Sequence, residues 1–262
     1  DWLSPVWIVV LSLAGGYAWL CRKHADASLA WFAVAMAILV AAFVSPIGVL
    51  AQGYLFSAHM VQHLLLLLVV PLFVMLSLPT AQSRSIGLHP KLMAALPLLG
   101  WIAGLGAMWF WHVPSLCSAA TESPALGVLR SATFLVAGTA FWLPIYSPVA
   151  RLRLPPLTAI AYLFSACVGC TLLGIYITFT SISVCPAFSD PSGSVGIPAA
   201  LAGAGLTPGV DQQLGGLLMW VPPCSLYVCS IISVICRWYG AAEPGPESTA
   251  ARKIPSATKG TA

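Results

Sequence analysis

Charge is what this sequence has least of. Lys and Arg number 11 and Asp and Glu 7 among 262 residues, 7% of the chain. A soluble globular protein carries roughly a quarter. With 59% hydrophobic residues and a mean hydropathy of +0.93, the chain lacks the polar surface to stay in water. That scarcity excludes nucleic-acid binding, a cytosolic enzyme and a disordered chain. A row of intramembrane carboxylates, a P-loop and a Ser-His-Asp set are also missing, so the chain does not read as an enzyme. Strict apolar–polar alternation is absent, which excludes a transmembrane β-barrel.

What is present is long apolar runs. A helix needs about 20 largely apolar residues to cross the hydrocarbon core. Seven segments qualify, at 3–20, 29–50, 54–78, 92–112, 125–147, 154–180 and 211–238. They predict an all-α, multi-pass membrane protein with one seven-helix domain over 1–240. Arg22 and Lys23 follow the first segment, Arg84 and Lys91 lie between the third and fourth, and Arg151 and Arg153 lie between the fifth and sixth. The tail holds Arg237, Arg252, Lys253 and Lys259, whereas Glu122 and Asp190 mark the alternate connections. Basic residues on every second connection place those connections and the C-terminus in the cytoplasm, with the N-terminus outside. The first segment has no basic residues before it and reads as a retained helix, not a signal peptide. The Gly-, Pro- and Ser-rich stretch 186–210 is expected to be an extracytoplasmic loop, and 241–262 a flexible cytoplasmic tail.

Trp2, Trp19, Trp31, Trp111, Trp142 and Trp238 fall near segment ends and suggest interfacial belts. Gly100 with Gly104, and Ser165 with Gly169, are small-xxx-small pairs that predict close helix packing.

Polar groups inside a membrane helix are expensive and call for a reason. His24 and His89 sit in cytoplasmic connections and read as ordinary loop residues. His59 and His63 are i and i+4 on one helical face, in the outer part of the third segment. His112 closes the fourth segment on the same side, so three histidines from two consecutive helices converge on one leaflet. Imidazole suits copper, zinc, iron and nickel, and a thioether favours Cu(I). Met60 points about 100° away from His59 around the helix. Met219, two turns into the last segment, lies at a depth similar to His63. Asp211 opens that segment on the outer side. It fits a cap on its own first turn, a group that orients an imidazole, or a weak ligand. Arg130 breaks the charge rule, and either snorkelling or a pair with Asp211 or Glu122 accounts for it.

Two further readings of the histidines stay open. His63 and His112 on opposing helices suit the axial positions of a b-type haem. The cluster also fits a cofactor-free structural subunit, each imidazole bonded to a backbone carbonyl. Among eight cysteines, Cys167 and Cys170 form a C-x-x-C within the sixth segment that reads either as soft-metal ligation or as small packing residues. Cys117 and Cys185 both lie outside, where a disulfide between them could persist.

Four stretches carry a family resemblance: His59-Met60-Val61-Gln62-His63-Leu64-Leu65-Leu66 followed by Pro71, Trp111-His112-Val113-Pro114, Phe141-Trp142-Leu143-Pro144-Ile145, and Asp211-Gln212-Gln213-Leu214-Gly215-Gly216-Leu217-Leu218-Met219-Trp220-Val221-Pro222. Over about 30–240 the chain resembles the caa3-type cytochrome c oxidase assembly factors called CtaG. The resemblance implies a bacterial plasma-membrane protein with about seven helices that helps to assemble haem-copper oxidases. It implies oxidase or other respiratory-complex subunits and the lipid bilayer as partners, with copper delivery as the activity. It makes His59, His63 and His112 the family's histidines and Asp211 its acidic residue. Transient Cu(I) binding by the three histidines follows, with Met219 as an optional soft ligand. The chain departs from the family where Arg130-Ser131 replace an expected Glu-His. That departure leaves room for a permanent accessory subunit that keeps only a binding surface.

Overall fold

The computed structural model describes residues 6–22, 28–79, 89–189 and 205–242, with no strand among them. Ten α-helices follow in order: α1 Val6–Cys21, α2 Leu29–Val44, α3 Pro46–Leu50, α4 Phe56–Leu64, α5 Val70–Ser77, α6 Pro90–Trp111, α7 Pro114–Glu122, α8 Pro124–Tyr146, α9 Pro156–Phe179 and α10 Pro208–Ala242. A π-helical turn, Leu65–Val69, joins α4 to α5, so Phe56–Ser77 is one continuous rod. Among the described residues, five helices are long and apolar enough to cross a membrane: Phe56–Ser77, α6, α8, α9 and Pro208–Gly240. α1 and α2 are apolar but 16 residues each. Lys23, His24, Arg84, Asp190, most of 186–210 and nearly all of the tail lie outside the described residues.

The rod Phe56–Ser77 is the centre of the bundle. Its apolar window is 67% buried, against 17% for α6. α10 packs along α9 and against α4, α6 packs on α8, and α5 lies between α2 and α8. Outward-facing apolar side chains such as Val136, Phe164, Leu172 and Phe179 are exposed, as expected for a lipid-facing surface.

Several close helix approaches lie beside prolines. A helical proline has no N–H for the carbonyl four residues back. Pro71, which has no N–H to donate, follows the π-turn, and Gly138 of α8 comes directly against the Leu67 carbonyl. The adjacent Leu68 carbonyl accepts from Trp142 Nε1 at 2.9 Å. Pro144 frees Ala140, whose carbonyl meets Gly100 of α6, and Gly104 rests on the Phe141 ring. Pro223 frees the Met219 carbonyl, which the Cys170 thiol fills at 2.9 Å. The expected close packing at Gly100 and Gly104 is therefore present, against α8.

Trp19, Trp31 and Trp238 are exposed, whereas Trp111 and Trp142 are buried. The belt expectation fails for those two. The Trp142 indole N–H goes inward to the Leu68 carbonyl of the π-turn, which outweighs an interfacial position.

The two ends of the bundle differ in chemistry. At one end Ser28 N and Tyr17 Oη both donate to the Ser77 carbonyl. Arg153 Nε donates to Ser147 O, and Arg237 Nη2 reaches Ile145 O. At the other end Asp211, Gln212 and a Cys117–Cys185 disulfide tie α10, α7 and the segment after α9 together.

Candidate functional site: a buried histidine file

The histidines sit at the disulfide-bearing end. Gly53 takes φ 101°, a conformation that only glycine adopts freely, and turns the chain from α3 back into α4. That turn brings the Ala51 carbonyl, open at the end of α3, to His59 Nδ1 at 3.1 Å. On the next helix pair, Pro114 removes an amide and disfavours helical backbone at Val113. α6 therefore stops at Trp111, and His112 adopts φ −95°, ψ 4°. Its Nδ1 returns to the Met108 carbonyl, one of the acceptors left open where the helix ends.

The three rings form a file. The His59 and His63 centroids are 4.1 Å apart, and those of His63 and His112 5.4 Å apart. Phe134 packs on His63 at 4.5 Å, and Phe188 covers His59 at 5.0 Å. All three imidazoles are buried. His59 Nε2 and both nitrogens of His63 have no hydrogen-bond partner. His112 Nε2 faces Met60 Sδ at 3.2 Å. A methionine sulfur thus does meet an imidazole, and it is that of Met60. Met60 points away from His59 on its own helix, but the partner ring, His112, arrives from the end of α6. Met219 is buried in α10.

Asp211 is buried and does something other than cap its own first turn. Its carboxylate accepts from Phe56 N at 2.6 Å and Ser57 N at 3.1 Å. It caps the N-terminus of α4, the helix that carries His59 and His63, from a residue 155 positions away. Negative charge there also complements the helix dipole. Asp211 therefore orients the histidine helix through backbone and does not bond an imidazole. Gln62, between the two histidines, donates to the Ala42 carbonyl at 2.8 Å and fixes α4 against the end of α2.

Arg130 is 6% exposed with Nη1 unpaired, so it does not snorkel outward, and the Asp211 carboxylate is bonded to the α4 amides instead. Arg130 stands one helical turn before Phe134, whose ring packs on His63. Glu122 is exposed. His89 accepts from Lys91 N at 3.3 Å as the cap of α6, the ordinary role expected for it.

Cys117 and Cys185 are bonded, and the link holds the turn Pro186–Phe188 against α7, with Phe188 over the file. Above this cover lies an open cavity of about 340 Å³ lined by Thr180, Ser183, Gln212 and Gln213, with Phe56 and Phe188 between it and His59. The C-x-x-C pair does not act together: Cys170 fills the Met219 carbonyl, while the Cys167 and Cys224 sulfurs lie 2.9 Å apart.

The donor set contains imidazoles and a thioether. Among the described residues no group of three or more His, Cys, Asp or Glu side chains is arranged as a metal site. A porphyrin does not fit. His63 and His112 are in ring contact, and Phe134 and His59 fill the other faces of His63, so no slot separates the would-be axial ligands.

The chain belongs to the cytochrome c oxidase caa3 assembly factor family, Caa3_CtaG, whose family model matches residues 11–241. No match to a curated protein or to a solved structure was found.

Proposed function

We propose that this assembly factor handles Cu(I) for the oxidase at the extracytoplasmic face of a bacterial plasma membrane, through His59, His63 and His112. The observation that carries this reading is the buried file with three ring nitrogens unpaired. Leaving a buried donor or acceptor unmade costs about 1–3 kcal/mol each. A chain that keeps three such atoms side by side keeps them for a ligand. Backbone bonds from Nδ1 of His59 and His112 present Nε2 of each ring, as metal-binding imidazoles are usually held. Arg130 beside the file weakens the hold on a cation, which suits a carrier that must release its cargo. No substrate is turned over, and the metal leaves by ligand exchange toward an oxidase subunit.

The orientation rests on two features. Disulfides persist outside the cytoplasm, and Cys117–Cys185 is at the histidine end. Arg153 and Arg237 are at the other end, as the positive-inside rule requires of the cytoplasmic side. Seven crossings follow if α1 and α2 also span, with the N-terminus outside and the C-terminus inside.

A second reading is a non-catalytic accessory or structural subunit. Its support is the shielding of all three rings and the absence of a ready-made metal cluster among the described residues. Copper content of the assembled oxidase separates the two. In cells making His63→Ala in place of the native chain, the delivery reading expects an oxidase short of copper and restored by added copper salt. An oxidase fully loaded in that variant contradicts delivery and favours the structural reading.

A further inference from the structure

His112 fixes its own tautomer. The Met108 carbonyl can only accept, so the proton of the neutral ring sits on Nδ1. Nε2 is then a bare lone pair. It faces Met60 Sδ at 3.2 Å, and a thioether has no proton to give. Two electron-pair donors oppose each other in a buried site. A shared proton would form only a weak N–H···S bond, would charge the ring beside Arg130, and would leave the His63 nitrogens unpaired. A soft metal ion would bond the nitrogen and the sulfur together, with His63, unpaired and in ring contact with His112, available as a further donor.

We propose that Met60 is the thioether ligand that gives the histidine file its selectivity for Cu(I). The assignment rests on the copper reading above and specifies the ion's oxidation state through ligand softness. The fold makes room for it. A Cβ on Gly215 of α10 would stand 3.1 Å from Met60 Cγ and closer still to the Phe56 ring, so the glycine leaves the space that the Met60 side chain occupies. Met60 is fully buried, and a thioether is a weak hydrogen-bond acceptor.

The test uses the full chain in detergent, labelled with selenomethionine, loaded anaerobically with Cu(I), and read at the selenium X-ray absorption edge. Cysteine sulfur does not contribute at that edge. The expected result is a copper neighbour to selenium in the unsubstituted chain that disappears in Met60→Leu. In parallel, competition with a coloured Cu(I) chelator should show Met60→Leu weakening Cu(I) by at least about tenfold while Zn(II) affinity changes by less than about twofold. Leu conserves volume well enough for the fold to survive. Copper bound with no selenium neighbour, a selenium–copper signal that survives Met60→Leu, or Cu(I) and Zn(II) weakened alike would each overturn the assignment and leave the histidine reading standing. A chain that binds no Cu(I) would overturn the copper reading and this assignment with it.

Discussion

Asp211→Ala should loosen the histidine helix from its top, and the size of the effect can be worked from two bonds. The carboxylate accepts from Phe56 N and Ser57 N, and Asp211 is 4% exposed, so water does not easily replace it. Leaving a buried amide unpaired costs about 1–3 kcal/mol, and two of them set a range of roughly 2–6 kcal/mol. Loss of the negative charge at the α4 N-terminus adds about 0.3–1 kcal/mol. A net loss of about 3–4 kcal/mol allows for partial relaxation. Asp211→Asn keeps one acceptor oxygen and should lose about 1–2 kcal/mol. Thermal unfolding in detergent ranks the three proteins, and hydrogen exchange at the Phe56 and Ser57 amides locates the effect. The reasoning is refuted if Asp211→Ala is no less stable than Asp211→Asn, or if those two amides exchange as slowly in Asp211→Ala as before.

Three other outcomes follow from contacts described above. Gly138→Ala drives a methyl group into the Leu67 carbonyl and should cost about 3 kcal/mol. Gly16→Ala, with open space around its Cβ, should shift stability by no more than about 1 kcal/mol. Equal melting temperatures for these two would contradict the packing at the π-turn. Trp142→Phe leaves the Leu68 carbonyl without its indole donor and should cost about 1–3 kcal/mol, read by the same melt. Reducing Cys117–Cys185 with a membrane-impermeant reagent should release Phe188 from His59 and speed modification of that imidazole by diethyl pyrocarbonate. An unchanged rate would show that the bonded turn does not cover the file.

The convergence of the histidines was legible in the sequence because it rests on helical periodicity. An i,i+4 pair shares a face, and a helix returning after a short connection delivers its last residue to the end where the previous helix began. What escaped was every feature created by a second helix. Met60 stands about 100° from His59 on its own helix, yet His112 reaches it from α6. Asp211 looks like a cap for α10 and serves α4. Cys167 is paired in sequence with Cys170, but its sulfur neighbour is Cys224. Arg130 looks like a snorkelling residue at a segment edge and is buried beside the imidazoles. One signal was available and unused: Pro71, Pro144 and Pro223 each lack the N–H that a helix would use. Gly138, Gly100 and Cys170 meet carbonyls at or beside those prolines and mark three of the close helix contacts.

Copper stoichiometry in the purified chain tests the central claim most directly. Full-length protein and the double variant His59→Ala with His63→Ala are loaded anaerobically with Cu(I), freed of excess metal, and assayed for copper per chain. The account predicts about one copper in the native chain beyond whatever the double variant retains, since two of the file's three imidazoles are lost. The same copper content in both proteins would contradict it, whatever the cysteines elsewhere in the chain contribute.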